Sequence, residues 1–106
     1  MAAAQVRVPA SAKKGEVIEI KTRITHDMES GFRKDSSGKA IPRLIIKNFV
    51  CKYNGAVVFE ADFDTSGSAN PMLSFFTTAT ESGKLEFVWT EDNNAQSKAE
   101  AEISVS

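Results

Sequence analysis

The chain has 106 residues, of which 42% are hydrophobic and 25% are charged, and its formal net charge is −1. This length supports one hydrophobic core and predicts a single domain over residues 1–106, while the composition argues against disorder and against membrane-spanning segments. Because Lys and Arg are interspersed among Asp and Glu, we expect neither nucleic acid nor an anionic membrane surface as a partner.

The first two predicted strands come from a simple alternation of residue types. Apolar residues alternate with polar ones at Val6 and Val8, and again over residues 16–24, where isoleucines alternate with charged side chains. A period of two residues indicates a β-strand rather than a helix. Each of these strands should therefore have one face in the core and one face in water.

A polar segment, residues 25–40, separates the second predicted strand from the next apolar run. It contains His26, Met28, Arg33 and Asp35. Long loops on a rigid scaffold often carry function, and mixed charges suit salt-sensitive recognition of another protein. We expect these four side chains to contact a partner, with a solvated loop tip held by local ion pairs as the alternative.

The one histidine of the chain, His26, could be a metal ligand, a proton carrier or a contact residue. A metal site needs several ligands, and the sequence offers no second histidine and no ligand cysteine at a suitable spacing. We therefore expect no metal and no cofactor, and we interpret His26 as a residue that anchors the loop or contacts a partner.

The segment 44–53 is more continuously apolar than the others, which is typical of a central strand covered on both faces or buried under a partner. Asn54-Gly55 follows it, and this dipeptide between β-patterns predicts a type I′ hairpin. The hairpin should pair residues 44–53 with residues 56–63. Within the first of these strands, Ile46 is expected to lie in the core or at a partner interface.

Three further strands are predicted in the second half of the chain. The run 72–78 follows Pro71 and has apolar residues on both faces, which would suit an interface core. The runs 84–90 and 98–105 alternate regularly and are bounded by turn residues. About seven short strands without an amphipathic helix predict an all-β protein, an immunoglobulin-like antiparallel β-sandwich, with a small closed barrel as the alternative.

The one cysteine and the N-terminal residues bear on reactivity and compartment. Cys51 lies inside an apolar strand, where free cysteine usually acts as a small buried hydrophobe, and a nucleophilic thiol would need His26 nearby. It cannot form an internal disulfide, so it neither requires nor excludes an oxidising compartment. The N-terminal residues lack the features of a cleavable secretory signal, which taken alone predicts a cytoplasmic protein.

Several separated blocks of the chain, in the same order, resemble the SoxZ family. The blocks are Ala12-Lys13-Lys14-Gly15-Glu16-Val17-Ile18-Glu19-Ile20-Lys21-Thr22, His26-Asp27-Met28-Glu29-Ser30-Gly31, Arg33-Lys34-Asp35, Gly38-Lys39-Ala40-Ile41-Pro42-Arg43, Tyr53-Asn54-Gly55, Ser68-Ala69-Asn70-Pro71, Thr80-Glu81-Ser82-Gly83 and Ile103-Ser104-Val105-Ser106. The family commonly has proline after the histidine, where this chain has Asp27, so the entry of the loop is less fixed here.

The resemblance implies a non-catalytic scaffold subunit that pairs with SoxY as a heterodimer in thiosulfate oxidation. SoxY would carry the sulfur substrate on its own C-terminal cysteine, so Cys51 would not be the carrier. The resemblance also implies a periplasmic complex, exported with the signal-bearing partner, and transient contacts with other Sox enzymes. An apolar partner surface left uncovered would offer the isolated chain a route to a homodimer. The alternative is a small thiol-dependent sulfur-transfer protein that uses Cys51.

Overall fold

The computed structural model describes residues 3–64 and 69–106. All predicted strands lie within these ranges, whereas Ser68, in one of the family blocks, lies outside the described residues. The strands are β1 (Ala4–Arg7), β2 (Ser11–Ala12), β3 (Val17–Ile24), β4 (Ile46–Tyr53), β5 (Ala56–Asp62), β6 (Met72–Thr78), β7 (Gly83–Glu91) and β8 (Gln96–Val105).

The strands form two sheets, one of three strands in the order β1-β3-β6 and one of five in the order β2-β8-β7-β4-β5. The two sheets are separate layers, so the fold is the predicted immunoglobulin-like sandwich and not the closed barrel. One expectation was wrong in detail, because β2 pairs with β8 in parallel. A strand of two residues is too short to show any alternation in the sequence.

Alternating side chains from both sheets meet in one core. Leu85, Phe87 and Trp89 of β7 share the buried face that their spacing predicts. The ring of Phe49 lies at the centre, with its centroid between 5.0 and 6.3 Å from those of Phe59, Phe75, Phe87 and Trp89. Since Phe75 belongs to the three-stranded sheet and the others to the five-stranded sheet, this cluster joins the two layers.

Strand β4 is not covered on both faces as its apolar run suggested. Its inner face is fully buried at Phe49 and Cys51, but its outer face is half-buried at Val50 and exposed at Lys52. The pairing of β4 with β7 shifts register between residues 46 and 48. A bulge of this kind places neighbouring residues on the same side, and here these are Lys47 and Asn48, which are both half-buried between the inward Ile46 and Phe49.

The Asn54-Gly55 turn forms as predicted, with φ of 49° and 86° at its two central residues. The Asn54 Oδ1 atom also accepts a hydrogen bond of 3.0 Å from the amide of Lys84, which ties the hairpin to β7. A Cβ atom at Gly83 would lie 1.8 Å from that oxygen. Glycine is therefore required at position 83 for the Asn54 side chain to cross it.

The chain is elongated, with extents of 59 × 19 × 19 Å. Its longest strand, β8, has ten residues and spans only about 33 Å. The length of one strand therefore does not account for the long axis. The longest connection between strands is residues 25–45, between β3 and β4. We call this connection the arm.

Candidate functional site

The arm folds back on itself as an irregular hairpin rather than a random loop. Isolated antiparallel bridges join Glu29 to Leu44 and Lys34 to Ala40. The amides of Glu29 and Leu44 each donate to the other residue's carbonyl, at 2.9 and 2.8 Å. These bonds satisfy backbone groups that a connecting loop would otherwise leave to water. The arm thus has a defined shape before any partner binds.

Asp35 builds the turn at the tip of this hairpin. Its Oδ1 atom accepts hydrogen bonds from the Ser37 hydroxyl at 2.7 Å, from the Ser37 amide at 2.9 Å and from the Lys39 amide at 3.0 Å. Hydrogen bonds from Ser37 and then from the Lys39 backbone hold the pKa of Asp35 below its ordinary value. One of its carboxylate oxygens is therefore committed to the turn itself.

His26 ties the base of the arm to the five-stranded sheet. Its Nε2 atom lies 2.7 Å from Glu91 Oε1 at the end of β7, and its Nδ1 accepts a hydrogen bond of 2.8 Å from the Met28 amide. Because Nδ1 is an acceptor, the ring proton lies on Nε2 and is donated to Glu91. The backbone amide of His26 also donates a hydrogen bond of 2.9 Å to Asn70 Oδ1, which fixes the same residue from a second side.

A second contact between the arm and the β7–β8 turn runs through Asp92. Its carboxylate accepts from Arg43 Nε at 3.0 Å and from the Ile45 amide at 3.1 Å. Burial would by itself raise the pKa of Asp92, but the hydrogen bonds from Arg43 and Ile45, together with the charges of Arg43 and Lys47, hold it below its ordinary value. The two ends of the arm are thereby fixed to adjacent residues, Glu91 at the end of β7 and Asp92 in the turn that follows it.

Met28 and Ile46 lie inside the chain. Met28 is 6% exposed and Ile46 is fully buried, and the Ile46 amide donates to the Met28 sulfur at 3.3 Å. Met28 reaches the core with a positive φ of 53°, a conformation that costs free energy in a residue other than glycine. In this structure both side chains belong to the core, so neither offers surface to a partner.

Arg33 and its neighbour Phe32 lie in the exposed part of the arm, residues 32–40. Arg33 forms an ion pair with Glu29, four residues earlier, on a largely exposed surface. Phe32 is 82% exposed, and no pattern in the sequence marks it as a candidate. Glycine suits the preceding position, Gly31, because its φ is 88° and a Cβ atom there would lie 3.1 Å from Arg43 Cβ.

Cys51 is fully buried on the inner face of β4. Burial raises the pKa of its thiol to about 12, because the charged thiolate is disfavoured away from water. Both ring nitrogens of His26 are already engaged, by Glu91 and by the Met28 amide. The contact between the Cys51 thiol and the His26 imidazole that a nucleophilic cysteine would need is therefore not formed.

Residues 3–64 and 69–106 contain no group of three or more His, Cys, Asp or Glu side chains placed to hold a metal ion. The same ranges contain no helix long and apolar enough to cross a membrane.

Comparison with known families decides the identity of this scaffold. The family model described as sulphur oxidation protein SoxZ matches residues 6–102. The chain belongs to the SoxZ family. It is thus a scaffold partner of the Sox sulphur-oxidation pathway, and the resemblance found in the separated sequence blocks is confirmed. A comparison with curated proteins gives no match.

Solved structures share the sandwich of this SoxZ-family chain at low sequence identity. A superoxide reductase (neelaredoxin) from Ignicoccus hospitalis aligns with a TM-score of 0.71 and 15% identity, over 97% of this chain and 80% of the other. The sulfur carrier protein SoxY from Chlorobium limicola f thiosulfatophilum aligns with a TM-score of 0.64 and 13% identity, over 97% and 78%. A CARDB domain from Pyrococcus furiosus gives 0.58 and 12%, over 100% and 94%. These likenesses show a common fold.

Proposed function

We propose that this SoxZ-family chain is a non-catalytic subunit that forms a one-to-one heterodimer with SoxY and leaves the covalent sulfur chemistry to a cysteine of that partner. The burial of Cys51 carries the proposal. A carrier cysteine must be accessible and must ionise to attack a sulfur substrate, whereas this thiol is enclosed in the core and its pKa is raised to about 12.

The same proposal extends to the pathway and the compartment. The substrate of the complex would be thiosulfate or a related sulfur species, held on the partner. The heterodimer would act in the periplasm after export with SoxY, whose signal would serve both chains. Family membership supports the pathway of sulphur oxidation, whereas the compartment follows from the resemblance noted in the sequence. The net charge of −1 agrees with a partner that is a protein rather than a polyanion.

A reconstituted thiosulfate-oxidation assay tests where the chemistry resides. Cys51→Ala is expected to leave the rate unchanged, because the side chain only fills core volume. Replacement of the partner's C-terminal cysteine by serine should abolish the reaction. The melting temperature of Cys51→Ala serves as the control for folding, since a buried residue has been made smaller. A folded Cys51→Ala protein without activity would support the thiol-dependent alternative instead.

We also propose that the arm helps other Sox enzymes to dock on the complex. Arg33→Ala is expected to lower turnover by about 3- to 10-fold, the equivalent of roughly 1 kcal/mol of lost docking energy. The melting temperature should not change, because the Arg33 side chain is 68% exposed and exposed ion pairs contribute little to folding. Lys98→Ala, an exposed cation on β8, is the matched control. If Arg33→Ala turns over as fast as Lys98→Ala, the arm has no role in docking and only connects β3 to β4.

A further inference from the structure

The outer face of the three-stranded sheet has an unusual composition for a surface. The register of β3 with β6 places Glu19 opposite Phe76 and Arg23 opposite Met72. Met72 is 71% exposed and Phe76 is 66% exposed, and Val17, diagonal to Phe76, is 64% exposed. We call these three side chains the β6 patch. Interface cores are enriched in aromatic residues and methionine relative to the rest of a protein surface.

The edge strand β6 lacks the protection that edge strands normally have. It pairs with β3 on one side only, at the border of its sheet. None of its seven residues is charged, and the side chains that it turns outward are Met72, Ser74, Phe76 and Thr78. Natural proteins usually place charges on exposed edges to prevent unwanted pairing. An uncharged edge beside exposed apolar side chains indicates a surface that another molecule covers.

The outer face of the five-stranded sheet differs in each of these respects. Its edge strand β5 carries Glu60 and Asp62, which both accept hydrogen bonds from the Asn48 amide group, at 3.0 and 2.9 Å. Its most exposed apolar side chain is Val57, at 56%. The other two valines of this face, Val50 and Val88, are half-buried and so expose less apolar surface than Met72 or Phe76. This second face is therefore the better protected of the two.

The two outer faces also differ in the sign of their charge. The three-stranded face has three cations and one anion, Arg7, Lys21, Arg23 and Glu19, and Lys21 lies 3.8 Å from Glu19. The five-stranded face has four cations and five anions, Lys47, Lys52, Lys84, Lys98, Glu60, Asp62, Glu86, Glu100 and Glu102. A partner of the first face should consequently be acidic around an apolar centre.

We propose that the outer face of the three-stranded sheet, centred on the β6 patch, is the docking face for SoxY. This inference rests on the proposed function, which names the partner but not the surface. The partner would place apolar side chains against Phe76 and Met72 and carboxylates near Arg23 and Lys21. Its contact would also cover the unprotected edge of β6.

Binding of purified SoxY from the same source to two matched variants tests this face. Phe76→Asp and Val57→Asp place the same charge on exposed positions of opposite faces, so both proteins should remain folded, which circular dichroism can check. Phe76→Asp is expected to raise the Kd for SoxY by about 30-fold or more, as truncation of a central contact does in other interfaces. Val57→Asp should leave the Kd within about twofold of the wild type.

The outcomes separate the docking face from the proposed function. If the wild-type chain does not bind SoxY, the proposed function fails. If the wild type binds and Phe76→Asp binds equally well, or if both variants are weakened alike, the assignment of this face is overturned while the heterodimer stands. A homodimer of the isolated chain that Phe76→Asp disrupts without affecting SoxY binding would assign the patch to a second copy and would also overturn the proposal.

Discussion

Replacement of Ile46 by aspartate is expected to lower the free energy of unfolding by about 3–5 kcal/mol, as for other unpaired buried charges. Ile46 is fully buried, next to the Met28 sulfur and at the bulge where β4 enters the sheet. Domains of this size are stable by only about 5–15 kcal/mol. The variant should therefore show a large drop in the midpoint of urea unfolding, or should fail to fold.

Val57→Asp is the matched control for this experiment, because Val57 is 56% exposed and also lies on a strand of the five-stranded sheet. It introduces the same charge where water can solvate it, so its unfolding midpoint should stay close to that of the wild type. An unaltered midpoint for Ile46→Asp would contradict the structure, since it would mean that residue 46 reaches solvent.

Replacement of His26 by alanine is expected to lower the free energy of unfolding by about 1–3 kcal/mol, because groups that it pairs are left without partners. The Met28 amide would lose its acceptor, and the Glu91 carboxylate, whose side chain is 18% exposed, would lose the donor at 2.7 Å. Amide hydrogen exchange should accelerate at Glu29 and Leu44, whose mutual hydrogen bonds hold the base of the arm.

His26→Asn separates the two contributions of the histidine. An asparagine oxygen can accept from the amide two residues later, as in an Asx-turn, so this variant should keep the bond to Met28 and lose only the bond to Glu91. Its free energy of unfolding should therefore lie between that of the wild type and that of His26→Ala. If His26→Ala leaves both stability and hydrogen exchange unchanged, the His26 side chain does not hold the arm, and its other contacts, such as that of Asp92 with Arg43, are sufficient.

Most strands of the two sheets could be predicted, because the patterns that identify a strand or a hairpin lie within a few consecutive residues. The alternation in β3 and β7 identifies the buried face residue by residue, and Asn54-Gly55 identifies the hairpin between β4 and β5. The bulge at the start of β4 was not predictable, because nothing in the sequence marks Lys47 as the residue that interrupts the alternation of this strand. The two-residue strand β2 has no periodicity to detect.

The candidate site was predictable only as a segment. The sequence pointed to residues 25–40, but the residue that binds His26 is Glu91, 65 positions away, and no motif joins them. Met28, expected at an interface, lies in the core because the arm folds back over the end of the sheet, and Ile46, expected in the core or at an interface, lies in the core on β4. Phe32 was overlooked because a single aromatic residue in a polar loop gives no pattern. Its exposure is visible only in the folded chain.

Selecting the docking face required both the sequence pattern and the order of strands in the sheets. The sequence showed that residues 72–76 are apolar on both faces, and the same was expected of 44–50. Only the sheet order shows that β6 is an edge strand without charge, whereas β4 lies between β7 and β5. Family membership then names the process in which that surface would be used. Neither source would select one face of the sandwich by itself.

The central claim is that this SoxZ-family chain acts as the non-catalytic partner of SoxY, and native mass spectrometry of the complex that co-purifies with it tests that claim most directly. We expect a one-to-one complex with a small protein that has a C-terminal cysteine, with any sulfur adduct on that partner. A chain that purifies alone and carries sulfur adducts on Cys51 would contradict the account.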